Sequence, residues 1–222
     1  MNELDNYFKE QIDNEDAFNV MIDENGFLDT MIAKRDIIDA IDAGKLDATI
    51  ELVVSSRPDA YGLKRAEAAG LQTLTLSKET YEDPFVADMV IATELKRYNV
   101  DYVVMAGYMR KVGVPILNTF LNRVLNLHPA LLPSFRGAHA IQDAYEYGVK
   151  VTGVTVHLAN ADYDRGPIIA QRPVVVEEGW TVDQLEEAIH QVEHQLYPEV
   201  LQLFAQDRVH VEGQKVRIEL GE

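Results

Sequence analysis

The sequence predicts an α/β fold with a mostly parallel sheet flanked by helices. Short β-branched runs alternate along the chain with longer segments of helical spacing. No internal repeat or low-complexity tract interrupts that alternation, and the 222 residues are 47% hydrophobic, enough for one buried core. The length fits a single domain over 1–222, with a divergent N-terminal segment (1–30) and a C-terminal hairpin (207–222).

Taken in order, Phe18 to Ile22 reads as a first strand. Leu28, Met31, Ile32, Ile38 and Ile41 keep helical spacing up to Gly44. Ala48 to Val54 is a strand, and a helix over Ala60 to Ala69 closes at Gly70. Thr73 to Leu76 is a short strand. A helical stretch follows from Glu79 to Arg97, with Pro84 in its first turn or breaking it. Tyr102 to Ala106 is a buried strand, Val114 to Leu121 a short helix and Arg123 to Leu127 another strand. A loop with Pro129, Pro133 and Gly137 leads into a helix over Ala138 to Tyr147. Val151 to Leu158 alternates as a strand, and Ile168 to Val176 returns as one after Gly166-Pro167. Thr181 and Gln184 form a capping box for a long helix to Gln206, which Pro198 should kink. Val209 to Val211 and Val216 to Leu220 make a hairpin that could pack on the sheet edge or on a second subunit.

Lys+Arg 20 against Asp+Glu 37 gives a net charge of −17. That field repels phosphodiester backbones and anionic lipid, which argues against nucleic-acid and membrane partners. The absence of cysteine excludes disulfides, thiolate nucleophiles and Cys-ligated metal. Residues 1–16 carry six carboxylates and one lysine, the reverse of a secretory signal, and a cytoplasmic address is expected.

Asn126 and His128 stand two apart at the end of a buried strand, so extended geometry points both to one side. A carboxamide beside an imidazole can hold an oxyanion and move a proton. On spacing alone, a turn-capping asparagine and an ordinary loop histidine fit at least as well. Asp164, in a polar loop between two apolar strands, reads either as an exposed turn residue or as a carboxylate reaching His128. His190, Glu193 and His194 spell H-x-x-E-H on a helix, a metal-ligand ordering, although solvation of a helix surface fits better and no metal is expected. Neither G-x-G-x-x-G nor a P-loop occurs.

Asn126-Leu127-His128-Pro129-Ala130-Leu131-Leu132-Pro133, Gly137-Ala138-His139, Lys150 to His157 and Asp164-Arg165-Gly166-Pro167-Ile168-Ile169-Ala170-Gln171 closely resemble the phosphoribosylglycinamide formyltransferase family. Ala106 to Arg110, Val192 to Pro198 and Ile37 to Leu46 carry further blocks in the same order, so that the resemblance spans about residues 37 to 206. It implies a Rossmann-like formyltransferase fold of about seven strands. It also implies formyl transfer from the cosubstrate 10-formyltetrahydrofolate to the amine of glycinamide ribonucleotide in de novo purine synthesis. By the same resemblance, Asn126, His128 and Asp164 are catalytic. Met109, Arg110, Lys111 and Val112, with Asn126 and Lys78, lie along the folate, and Glu193 contacts the nucleotide. His157 and Thr155 line the pocket.

The family's phosphate-gripping G-N-G-S-N loop is represented by Asp23-Glu24-Asn25-Gly26-Phe27, which leaves Asn25 and Gly26 as its substrate-binding positions. Lys34 or Arg35 would then supply cations. With that loop altered, a formyltransferase for a different small amine and a non-catalytic folate-binding relative stand as alternative readings. A homodimer is also left open.

Overall fold

Apolar β-branched segments must pair their backbone groups with one another once buried, and that requirement builds the sheet. The computed structural model describes residues 18–21, 37–106 and 110–219. Its strands are β1 (Phe18–Met21), β2 (Val53–Ser55), β3 (Thr73–Thr75), β4 (Tyr102–Met105), β5 (Val124–His128), β6 (Val151–Leu158), β7 (Ile168–Val175), β8 (Val209–Glu212) and β9 (Lys215–Ile218). The helices are α1 (described over 37–42), α2 (Tyr61–Ala68), α3 (Lys78–Glu82), α4 (Pro84–Arg97), α5 (Val114–Thr119), α6 (Ala140–Tyr147) and α7 (Val182–Ala205).

The main sheet has the order β1-β4-β5-β6-β7. β1, β4 and β5 run parallel, whereas β6 and β7 are antiparallel to their neighbours. β2 and β3 form a separate parallel ladder, so three of the five pairings ahead of the hairpin are parallel. The mostly parallel α/β architecture is therefore as expected, and among the described residues the strands ahead of the hairpin form two ladders, of five and of two. Of the expected 48–54 strand, Val53 and Val54 fall in β2, which runs on to Ser55 and pairs with β3, while the Thr49 hydroxyl donates to the Glu51 carboxylate.

Side-chain alternation along β4 and β5 splits the core between the two faces. Val104 and Leu125 pack with α1 and α7, and Val103, Met105 and Val124 pack with α4 and α5. The expected 79–97 helix is two helices, because Asp83 caps the second of them. Its carboxylate accepts from the backbone N–H groups of Phe85 (2.9 Å) and Val86 (3.1 Å), with Pro84 in the first turn. The Thr181–Gln184 capping box opens α7, which continues through Pro198.

The hairpin β8–β9 turns at Gly213, whose φ of +61° suits glycine. It lies on the sheet edge beside β7, with Val211, Val216 and Ile218 against the main core. From its tip, Gln214 Nε2 donates to the Arg165 carbonyl at 3.0 Å. No helix among the described residues is long and apolar enough to cross a membrane.

Candidate active site

β5 carries Asn126 and His128 to its carboxyl end, the position where open α/β sheets place ligands. Antiparallel pairing then sets His157 of β6 directly opposite Asn126, and Thr155 opposite His128. The loop after β6 folds back over these strand ends. At Gly166 the backbone lies so close to the Leu158 carbonyl that a Cβ would overlap it. The fold-back buries Asp164, held at φ +50°.

The hydrogen bonds fix the protonation pattern. His157 Nδ1 donates to the Leu158 carbonyl at 3.0 Å, which leaves Nε2 as an acceptor. Asn126 Nδ2 donates to that Nε2 at 3.1 Å, so the carboxamide is oriented with its second N–H still to give. Burial, partly opposed by the Leu158 bond and the Asp164 charge, pushes the His157 pKa down and keeps the ring neutral. Asp164 Oδ2 accepts the Gly137 N–H at 2.9 Å and lies 3.6 Å from His128 Nδ1, while its Oδ1 is 3.7 Å from His157 Nε2. His128 Nε2 donates to the Phe135 carbonyl at 2.8 Å, and Arg136 Nε donates to the Asp164 carbonyl at 3.2 Å. The tripeptide Phe135–Gly137 thus grips both the imidazole and the carboxylate.

Thr155 anchors the preceding loop. Its hydroxyl donates to the Ala130 carbonyl at 2.7 Å and accepts from the Leu132 N–H at 3.1 Å. Gln171 Nε2 adds bonds to Thr155 Oγ1 (2.9 Å) and to the Leu132 carbonyl (2.8 Å).

Asn126, His157 and Asp164 open onto a shallow, half-open cleft that Arg110, Lys111 and Val112 also line. Polar donors of defined orientation and a buried carboxylate beside a cleft together suit addition of a nucleophile to a carbonyl carbon.

The formyl transferase family model matches residues 27–201. Phosphoribosylglycinamide formyltransferase of Bacillus subtilis is 37% identical over 155 residues, covering 70% of this chain and 80% of that protein. The chain belongs to the phosphoribosylglycinamide formyltransferase family. The Escherichia coli protein of the same description is 36% identical to this formyltransferase over 173 residues, covering 78% of the chain and 82% of the relative. Among solved structures, glycinamide ribonucleotide transformylase 1 from Symbiobacterium toebii superimposes with a TM-score of 0.86 at 41% identity, covering 92% of this chain and 94% of that one.

In this formyltransferase Asn126, His128 and Asp164 come together as the sequence motif implies, although the His128 ring is turned toward Phe135 and does not line the cleft. Lys78 is 84% exposed, pairs with Glu82 at 3.8 Å and stands outside the cleft lining. Glu193 lies on α7, 3.9 Å from His190, and its charge reaches the buried Tyr197 hydroxyl at the ends of β4 and β5. Among the described residues no set of three His, Asp or Glu side chains is arranged to hold a metal, the H-x-x-E-H segment included. Asn25, Gly26, Lys34, Arg35, Met109 and the arm 1–17 lie outside the described residues.

Two features escaped the sequence reading. The first is His157 as the acceptor that orients Asn126, which depends on strand register. The second is Asp88 beneath the cleft wall. Its signal was present: Asp88 shares the buried stripe of α4 with Ile91, Ala92 and Leu95, an unusual place for a carboxylate.

Proposed function

We propose that this protein uses the Asn126–His157–Asp164–His128 constellation to transfer the formyl group of 10-formyltetrahydrofolate to the amino group of glycinamide ribonucleotide, a step of purine synthesis. The observation that carries the reading is the Asn126 carboxamide, oriented by a neutral His157 at the mouth of the cleft beside the buried Asp164.

The amine nitrogen attacks the formyl carbon, and the carbonyl oxygen becomes an oxyanion. The second N–H of Asn126 stabilises that oxygen, and its preset direction spares reorganisation during the reaction. The attacking amine loses a proton to the Asp164–His128 pair through a water held by Asp164. The carbon–nitrogen bond to the folate then breaks as the pair returns the proton to the folate nitrogen. The His128 ring is held between the Phe135 carbonyl at Nε2 and the Asp164 carboxylate facing Nδ1.

Arg110, Lys111 and Val112, with Met109 before them, form the folate wall, and Lys78 meets the solvent-facing end of the cofactor. Glu193 binds the nucleotide substrate, whose phosphate falls to the Asn25–Gly26 segment. The strongly acidic surface favours small-molecule substrates over nucleic acid, and the setting is cytoplasmic.

Formyl transfer to glycinamide ribonucleotide, followed as release of tetrahydrofolate, tests this. Wild-type protein should turn over, and Asn126→Ala or His128→Ala should lower kcat by about 10²–10³. Absence of wild-type transfer at saturating concentrations of both substrates overturns the proposal.

A further inference from the structure

Asp88 lies on α4 among apolar side chains, 1% exposed, and does not line the cleft. Its carboxylate reaches the far side of the cleft wall. One oxygen accepts the Gly113 N–H, and the other is 3.4 Å from the Arg110 guanidinium. Arg110 in turn donates to the Tyr81 carbonyl at 2.9 Å and lies over the Tyr81 ring at 4.5 Å. The fit is close, because a Cβ on Gly113 would stand 2.6 Å from Asp88 Oδ2. Both ends of the segment 110–113 are therefore tied to one side chain.

Burial raises the Asp88 pKa, and the Gly113 N–H and the Arg110 guanidinium offset only part of that desolvation cost. A buried charge pair is weak support for stability, since an apolar side chain packs as well or better. What the carboxylate supplies is the placement of a backbone segment.

We infer that Asp88 is a positioning residue for the formyl donor: it sets the main chain of 110–113 as the wall against which the folate lies. The inference rests on the formyl-transfer reading and names the element that tunes its cofactor affinity. In Asp88→Asn the amide retains one acceptor oxygen but turns N–H groups toward a donor.

The test combines steady-state kinetics, tetrahydrofolate titration and hydrogen exchange of the 110–114 amides on the full-length protein. Asp88→Asn should raise KM for 10-formyltetrahydrofolate and Kd for tetrahydrofolate about tenfold or more. The KM for glycinamide ribonucleotide and the kcat at saturation should stay within about threefold, and Gly113 amide exchange should accelerate. Gly113→Ala, which displaces the carboxylate sterically, should shift the same constants in the same direction and serves if Asp88→Asn does not fold. A folded variant with unchanged folate constants, or with unchanged Gly113 exchange, overturns the inference alone. A wild-type protein that binds no tetrahydrofolate overturns the underlying reading and the ligand named here with it.

Discussion

Replacing Asp164 by asparagine isolates the charge of the carboxylate from its shape. The amide oxygen can keep the 2.9 Å bond to the Gly137 N–H, so the loop that carries the residue stays in place. What disappears is the attraction for a protonated His128 whose Nδ1 is 3.6 Å away. With an effective dielectric of about 20, two unit charges at that separation attract by about 4.6 kcal/mol. At about 1.4 kcal/mol per decade the ceiling on the rate loss is about three decades. The mobile proton spends part of its path on other groups, so kcat/KM should fall by about 10²–10³, most of it in kcat. Both side chains are about 95% buried, which shields the pair from counterions; the loss should be as large in 0.5 M salt as in about 0.05 M. The assay is initial-rate formyl transfer, with circular dichroism as the check on folding. A folded Asp164→Asn protein that keeps more than about a third of the wild-type kcat/KM refutes the pairing as a catalytic device.

Three further outcomes follow from the packing around the site. Tyr197→Phe removes a fully buried hydroxyl whose one O–H is shared between the Met105 (2.9 Å) and Leu125 (3.2 Å) carbonyls; it should cost about 1–3 kcal/mol in urea unfolding, and a cost below about 0.5 kcal/mol counts against the bridge. Gly166→Ala forces the Asp164 loop off the Leu158 carbonyl and should lower stability by about 1–3 kcal/mol while also lowering kcat, so a variant active as wild type contradicts the close approach. The folded state holds the His157 pKa below its ordinary 6.5, so in acid the unfolded chain takes up a proton that the native site resists. Stability from this group is complete above about pH 6.5 and declines as pH falls toward the depressed value, by at most about 1.4 kcal/mol per pH unit. Urea midpoints at about pH 7.5 and pH 5.5 should show that decline, with a smaller slope in His157→Gln; equal slopes would assign the acid sensitivity elsewhere.

Local chemistry made much of this molecule legible before any coordinates. The alternation from Val151 to Leu158 and the Thr181–Gln184 box each specify an element with short-range information, and both elements stand where expected. The break at Asp83–Pro84 was also written locally, in a carboxylate followed by a residue that fits only a helix start. Pairing partners are a different matter. Nothing within Ala48 to Val54 says that its last residues pair with Thr73 to Thr75, because that depends on where β3 lies. The same limit applied at the site. Asn126, His128 and Asp164 came from a motif, whereas the acceptor role of His157 required the β5–β6 register. Asp88 was readable in principle, as a charge on an apolar stripe, but its target in the 110–113 segment is a contact across 25 residues.

The bond from Gln214 to the Arg165 carbonyl ties the Asp164 loop to an element synthesised about fifty residues later. During translation the main sheet can assemble while the Asp164 segment still lacks this brace, so competence should arrive only as the last strands emerge from the ribosome. Proteolytic clipping ahead of Val209 would remove that brace together with the apolar cover that Val211, Val216 and Ile218 give the main core, and a fusion partner attached after β9 would pull on the same lever.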